Sequence, residues 1–177
     1  MNMFHGISTG KKAPEEINVV IENCKGTSNK IEYDIEEGVF KLDRVLYSSI
    51  HWPFDYGFIP RTWSEDDDPI DVVVLTSQPM FQGCTLVARP VGLMIMEDEK
   101  GRDDKIIAVP ADDPRFSQIK ELKNLPEHML KEIQEFFETY KRLEPNKWVK
   151  YKEWKNSEEA KKIIKKAMDS YSKKFKK

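Results

Sequence analysis

The sequence predicts an α+β fold that is mainly β. Its strands form a barrel or strongly bent sheet, finished by helices at the C-terminal end. Three observations carry this expectation. Short β-branched runs separated by turns fill the first two-thirds. No helix-length segment lies between them, so consecutive strands pair largely antiparallel rather than by crossover. Helical apolar spacing is confined to the last third.

The elements follow in order. "INVVIENC" at 17–24 is apolar and β-branched. "KIEYDIEEGVFKLDRVL" at 30–46 alternates on either side of Glu36-Glu37-Gly38, a hairpin signal. "DVVVLT" at 71–76 is a continuous run of strand length. "TLVARPVGLMIM" at 85–96 is a long strand in which Pro90 marks a bulge or an edge. "EDEKGRDD" makes a polar turn centred on Gly101, and "KIIAVP" at 105–110 is the strand after it. Pro126 then suits a first helical turn, and Met129, Leu130, Ile133, Phe136, Phe137 and Tyr140 recur at helical spacing. A second helix starts near Asn156 or Ser157, with Glu158 and Glu159 in its first turn. Ala160, Ile163, Ile164, Ala167, Met168 and Tyr171 form its apolar stripe. Eight lysines between Lys161 and Lys177 face a single acid, Asp169, and read as a solvated face.

The totals narrow the class. A chain of 177 residues suits one domain spanning 1–177 with a sizeable core. Lys+Arg 29 against Asp+Glu 31 gives a net charge of −2, which argues against a dedicated nucleic-acid binder. Cys24 and Cys84 are far apart and form no CxxC, as expected of free thiols in a reducing cytosol. No apolar run reaches the roughly 20 residues of a membrane span, and the N-terminus shows no secretory h-region. A cytoplasmic location is the resulting expectation.

Chemistry concentrates at "WSEDDDPIDVVVLT", 63–76, where five carboxylates fall between Glu65 and Asp71. One like-charged pair at ~4 Å and an effective dielectric near 20 costs about 4 kcal/mol. A solvated loop is the ordinary reading of such a run. Three details oppose it. Pro69 biases Asp68 toward extended backbone. Asp71 shares a strand face with Val73 and Leu75, where an unpaired charge is costly. The D-x-D-x-x-D spacing of Asp66, Asp68 and Asp71 gathers three acids on one stiff turn.

The histidines, His5, His51 and His128, are scattered, so zinc is poorly supported. An EF-hand started at Asp66 places Asp71 at the glycine position and Ser77 at the bidentate glutamate position, and so fails. Oxygen ligands alone favour Mg²⁺, with Mn²⁺ or other divalent ions as alternatives. A second acid cluster, Glu97, Asp98, Glu99, Asp103 and Asp104, occupies the next turn and is closed by Lys105. By itself it reads as a charged hairpin tip. Two such turns meeting at one barrel mouth would hold several ions, the arrangement used for phosphoryl chemistry. Lys30, Arg44, Tyr56, Lys105, Tyr140 and Lys141 are candidate phosphate partners. Lys30 and Arg44 equally suit surface positions, and Tyr56 and Tyr140 equally suit core packing. Spacing does not choose between these readings.

The residues together match a family pattern. Asp66-Asp67-Asp68-Pro69-Ile70-Asp71-Val72 stands with "VVIE" ending at Glu22, "NKIEYD", "LDR", "WPFDYGFIPRTW", "ARPVG", "DEKGRDDK", "FFETYKRLE" and "KWVKYKEW". In this order the motifs cover nearly the whole chain, which resembles the soluble inorganic pyrophosphatases of family I, the archaeal-like prokaryotic type above all. The resemblance implies a five-stranded OB-like barrel flanked by C-terminal helices, and Mg²⁺-dependent hydrolysis of pyrophosphate to two phosphates. It implies that Asp66, Asp71 and Asp103 hold the activating metals, and that Asp98 and Glu22 hold metals around the substrate. Asp68 would be the general base, with Glu99 and Glu32 as supporting acids. Lys30, Arg44, Tyr56, Lys105, Tyr140 and Lys141 would grip phosphate. A homohexamer is implied as well. Three positions depart from the pattern: Asp67 where Gly is common, Trp52 where Tyr is usual, and Ile31 in place of a frequent Tyr. Two readings from other classes stand beside this one. The first is an OB-like nucleic-acid-binding module using the lysine-rich helix. The second is a structural Ca²⁺-binding protein.

Overall fold

A computed structural model describes residues 1–175. In chain order it contains α1 (Met3–Gly6), β1 (Ile17–Asn23), β2 (Asn29–Asp34), β3 (Val39–Val45), β4 (Asp55–Phe58), β5 (Asp71–Val74), β6 (Thr85–Asp98), β7 (Gly101–Arg102) and β8 (Lys105–Pro110). Two short 3₁₀ turns precede α2 (Glu127–Thr139), and β9 (Val149–Asn156) runs directly into α3 (Ser157–Phe175).

Strands β1, β4, β5, β8 and β6 pair in that order, and β6 returns to β1. The sheet therefore closes into a five-stranded barrel of the OB-like kind, which leaves no exposed edge along the ring. Closure depends on the 14-residue β6, which bends enough to serve several neighbours. Its first part pairs with β1, its middle with β8, and its last part with β9. The register slips between Pro90 and Gly92, so Pro90 marks a bulge as its missing N–H requires.

Three features differ from the sequence expectation. The β2–β3 hairpin pairs only with itself and stands beside the barrel rather than in it. The fifth ring strand is β4, whose "DYGF" is too short to show a period. The pairing of β5 with β8 is parallel, whereas the rest of the ring is antiparallel. Strand β9 was not expected either, although Val149-Lys150-Tyr151-Lys152 alternates with the period of a strand.

The continuous apolar runs of β5 and β8 reflect burial on both faces. Val73, Leu75, Ile107 and Val109 join Trp52, Phe54, Tyr56 and the α2 stripe of Ile133, Phe136, Phe137 and Tyr140. Val72, Val74, Ile106 and Ala108 join Ile17, Val19, Ile21 and the α3 stripe of Ala160, Ile164 and Ala167. Met129 and Leu130 of the first stripe, and Ile163 and Met168 of the second, pack at the margins. Asn156 is the α3 cap: its Oδ1 accepts the Glu159 N–H at 3.1 Å.

Two positions hold the barrel to close tolerance. A Cβ on Gly57 would lie 1.8 Å from the Val20 carbonyl oxygen, so β4 passes β1 at a distance that only glycine allows. The fully buried Asp55 carboxylate accepts the N–H of Lys25 at 2.9 Å and the Thr76 hydroxyl at 2.5 Å, and it also faces the Met80 N–H at 3.2 Å. It ties two loops to the start of β4. Asp55→Ala would leave these donors buried and unpaired, at a cost of about 3 kcal/mol or more. Chemical denaturation should show that loss, and should show at least as large a loss for Gly57→Ala.

Candidate active site

The parallel register places Asp71, first residue of β5, directly beside Lys105, first residue of β8. Both strands start at the same rim, so the acid loop before β5 and the acid turn before β8 arrive together. Asp98, at the end of β6, reaches this rim from a strand antiparallel to β8, and Glu22 near the end of β1 lines the same cleft. Tyr56 of β4 also faces it, while the β2–β3 hairpin supplies Lys30, Glu32 and Arg44 as a side wall. The C-terminal end of α2 brings Tyr140 and Lys141. The result is a cleft of about 350 Å³. All fourteen residues singled out from the sequence line it: Glu22, Lys30, Glu32, Arg44, Tyr56, Asp66, Asp68, Asp71, Asp98, Glu99, Asp103, Lys105, Tyr140 and Lys141.

Cations sit among the acids in pairs. Lys105 Nζ, buried, donates to Asp71 at 2.5 Å and to Asp103. Lys141 Nζ donates to Asp98 at 2.7 Å and lies 3.6 Å from Glu99. Arg44 Nε donates to the buried Glu144 at 2.7 Å, and its guanidinium also meets Asp43. Lys30 bridges Glu32 and Asp43 across the hairpin. Glu22 accepts the Tyr33 N–H at 2.7 Å.

These pairings leave a surplus of negative charge. Loss of bulk water, then the charges of Asp71 and Asp66, push Asp68 up to about 7. Loss of bulk water and Asp71 push Asp66 up to about 6. Burial and Asp71 raise Glu22 well above the carboxylate range. Burial raises Asp103 too, although Lys105 opposes the shift. Glu99 goes the other way: burial resists its charge, but hydrogen bonding to Lys147 and the nearby Lys141 bring it to about 2. Burial disfavours the Lys105 charge, yet Asp103 and Asp71 hold it well above the ordinary lysine range. Burial raises both phenols, Tyr56 and Tyr140, so they remain hydroxyl donors.

The family model described as inorganic pyrophosphatase matches residues 19–172. The chain belongs to the inorganic pyrophosphatase family.

Similarity within the family runs end to end. An inorganic pyrophosphatase of Haloferax volcanii is 48% identical over 175 residues, 99% of each chain. One from Saccharolobus solfataricus is 53% identical over 165 residues, 92% of this chain and 96% of that one. The crystal structure of the Thermus thermophilus inorganic pyrophosphatase superposes with a TM-score of 0.94 at 44% identity, covering 97% of this chain and 99% of that one. Membership in the pyrophosphatase family implies a divalent metal cofactor, and the donor set suits one. The lining ligands are carboxylate oxygens, the choice of hard cations, and the buried Glu99 Oε2 lacks any hydrogen-bond partner. Among the described residues, no three His, Cys, Asp or Glu side chains converge as a closed metal cage. Lys105 instead lies between Asp71 and Asp103, so ions here would share their shell with water and substrate oxygens, as Mg²⁺ usually does.

The departures noted in the sequence find physical explanations. Trp52 is a core residue behind the cleft: its ring stacks 5.0 Å from Tyr56, and its Nε1 donates to the Asn29 carbonyl at 2.9 Å. The indole replaces a hydroxyl without leaving a polar atom unpaired. Ile31 lines the hairpin wall. Asp67 has φ +61°, the left-handed region where glycine is favoured. Four charged lining residues were not singled out: Asp43, Arg102, Lys100 and Lys147. Asp43 was visible inside "LDR". Lys147, in a loop after α2, opens the motif "KWVKYKEW" but was given no role there.

The raised Asp68 carboxyl gives a test. A group whose folded pKa exceeds its unfolded value stabilises the fold at low pH, and this contribution is lost as pH rises through the folded value. In EDTA, Asp68→Asn should therefore melt a few degrees above the parent at pH 8, yet close to it at pH 4.5. Differential scanning fluorimetry at both pH values reads the difference.

Proposed function

We propose that this cleft hydrolyses inorganic pyrophosphate to two orthophosphates with Mg²⁺, by attack of water directly on phosphorus. The chain is an inorganic diphosphatase, a hydrolase of phosphoric anhydride bonds. The observation that carries the mechanism is the meeting, in one 350 Å³ cleft, of surplus carboxylates with lysines, an arginine and phenols. Carboxylates alone would repel so anionic a substrate, and cations alone would have no use for a surplus of acids.

Asp66, Asp71 and Asp103 would hold the activating ions, with Asp98 and Glu22 near ions that accompany substrate. When bound, divalent cations acidify water and offset phosphate charge. Asp68 accepts the proton from the attacking water. It is suited to this because its pKa is displaced toward neutrality and it lies between Asp66 and Asp71 in the chain. Lys30, Arg44 and Lys105 hold the phosphate oxygens. Lys141 with the Tyr56 and Tyr140 hydroxyls stabilises charge on the departing phosphate. Glu32 and Glu99 orient lysines: Glu32 accepts from Lys30, and Glu99 accepts from Lys147 at 2.6 Å.

The acid-lined mouth disfavours the nucleic-acid reading, since a phosphate backbone is bound by a basic groove. A purely structural Ca²⁺ site gives no account of the phosphate-facing lysines. No described helix is long and apolar enough to cross a membrane. We place the enzyme in the cytoplasm and expect a homohexamer, for which the exposed Leu42, Val45 and Tyr47 offer an apolar contact surface. Light scattering that returned a monomer would overturn the assembly.

Phosphate release from pyrophosphate should require Mg²⁺ and stop with EDTA or fluoride; no release would reject the reading. Asp71→Asn should keep the fold yet lower activity at fixed Mg²⁺ by at least ~100-fold, since even residues that merely support a metal ligand cost 10–100-fold. Asp68→Asn should lower kcat by roughly 10²–10⁴-fold while Mg²⁺ still binds. Millimolar Mg²⁺ should raise the melting temperature of the parent, because it binds the native state and relieves carboxylate repulsion.

A further inference from the structure

The acid loop has two sides. Asp66 and Asp68 face the cleft, but Glu65 and Asp67 do not line it. They turn instead to α3, where Lys166 Nζ meets Glu65 at 2.5 Å and Lys174 Nζ meets Asp67 at 2.9 Å. The sequence expectation of a merely solvated lysine face is thus incomplete. Trp63 completes the contact. Its Nε1 donates to Asp67 at 3.2 Å, its N–H donates to the Ala167 carbonyl at 3.0 Å, and Lys174 Nζ stands 4.1 Å from its ring centroid.

The loop needs such ties because it has little packing of its own. Between the loop and α3 lies a second cavity of about 120 Å³, which shares Asp66, Pro69 and Asp71 with the cleft and is also bounded by Trp63, Ile163 and Lys166. The ends of the loop are fixed, with Ile70 N–H donating to the buried Thr62 Oγ1 at 3.0 Å. Between them, Ser64 N–H donates to the Asp68 carbonyl at 2.8 Å, and Asp67 sits at the left-handed apex. The lysine contacts of Glu65 and Asp67, with the Trp63 Nε1 bond to Asp67, therefore join this apex to α3.

We propose that Lys174 and Lys166 of α3 are positioning residues for the active site. Acting through Asp67, Glu65 and Trp63, they hold the acid loop in the geometry in which Asp66 and Asp68 receive divalent ions. The proposal rests on the metal reading above. Neither lysine touches substrate. Each pair is exposed, so each is individually weak and is screened by salt. The expected effect is graded and falls on metal affinity rather than on the fold.

The test is a double-mutant cycle on the full chain, using Lys174→Met and Asp67→Gly. Asp67→Gly relieves the left-handed backbone and removes the carboxylate together. Calorimetric titration with Mg²⁺ alone, without substrate, gives Kd. Hydrogen–deuterium exchange of residues 63–70 gives loop order with and without metal. Lys174→Met should weaken Mg²⁺ binding about three- to tenfold and speed loop exchange, with the melting temperature in EDTA nearly unchanged. At saturating Mg²⁺, kcat should change less than about twofold. Lys174→Arg should restore Kd, and Lys174→Met should have no further effect in the Asp67→Gly background. Equal effects of Lys174→Met in both backgrounds, or parent-like Kd and exchange, would overturn the proposal. Loss of affinity only in step with a fallen melting temperature would also overturn it. A parent that binds no Mg²⁺ would instead overturn the metal reading, while loop exchange would still decide whether α3 braces the loop.

Discussion

The buried ammonium of Lys105, held between Asp71 and Asp103, is the interaction on which the cleft depends. It places a positive charge where two acid-bearing turns converge, so the chain can bring them together before any ion arrives. The parallel β5–β8 register makes that contact unavoidable, because Asp71 and Lys105 are partners across the seam. One strand pairing thus joins fold to chemistry. Removing the lysine would leave two carboxylates facing each other in poorly hydrated surroundings, where like charges repel most strongly.

Behind this charged rim lies an aromatic wedge. Trp52, Phe54, Tyr56, Phe136, Phe137 and Tyr140 form a continuous cluster between the barrel and α2. Two of its members, Tyr56 and Tyr140, also line the cleft. Their hydroxyls are thereby held on rigid rings that have little freedom left to lose. The hairpin is placed differently. It carries Lys30 and Arg44 outside the closed ring, so this wall of the cleft belongs to an element with its own two-stranded ladder.

How much of this was readable from the residues depended on range. Strands β1, β5, β6 and β8 announce themselves through β-branched runs, and the two long helices through their apolar spacing. The motif order then singled out fourteen residues that line the cleft, and passed over Asp43, Lys100, Arg102 and Lys147. What stayed hidden was non-local. Nothing in "DYGF" declares a ring strand, because four residues are too few for a period and only its neighbours define it. The parallel seam cannot be seen either, since parallel and antiparallel partners carry the same apolar runs. The ties from Lys166 and Lys174 span about a hundred positions of sequence, with Lys174 and Asp67 107 residues apart. A run of lysines looks alike whether it faces water or an acid loop.

The alternation of the acid loop has a consequence for how the gene can change. Asp66 and Asp68 look into the cleft, while Glu65 and Asp67 look toward α3. Composition barely distinguishes these two sets, for all four are short acids. Only their position along the backbone assigns them to one side or the other. A single-codon insertion or deletion between Trp63 and Pro69 would exchange the two sides while leaving the amount of negative charge nearly intact. The length of this loop is therefore constrained along with its chemistry, whereas most surface turns tolerate insertions.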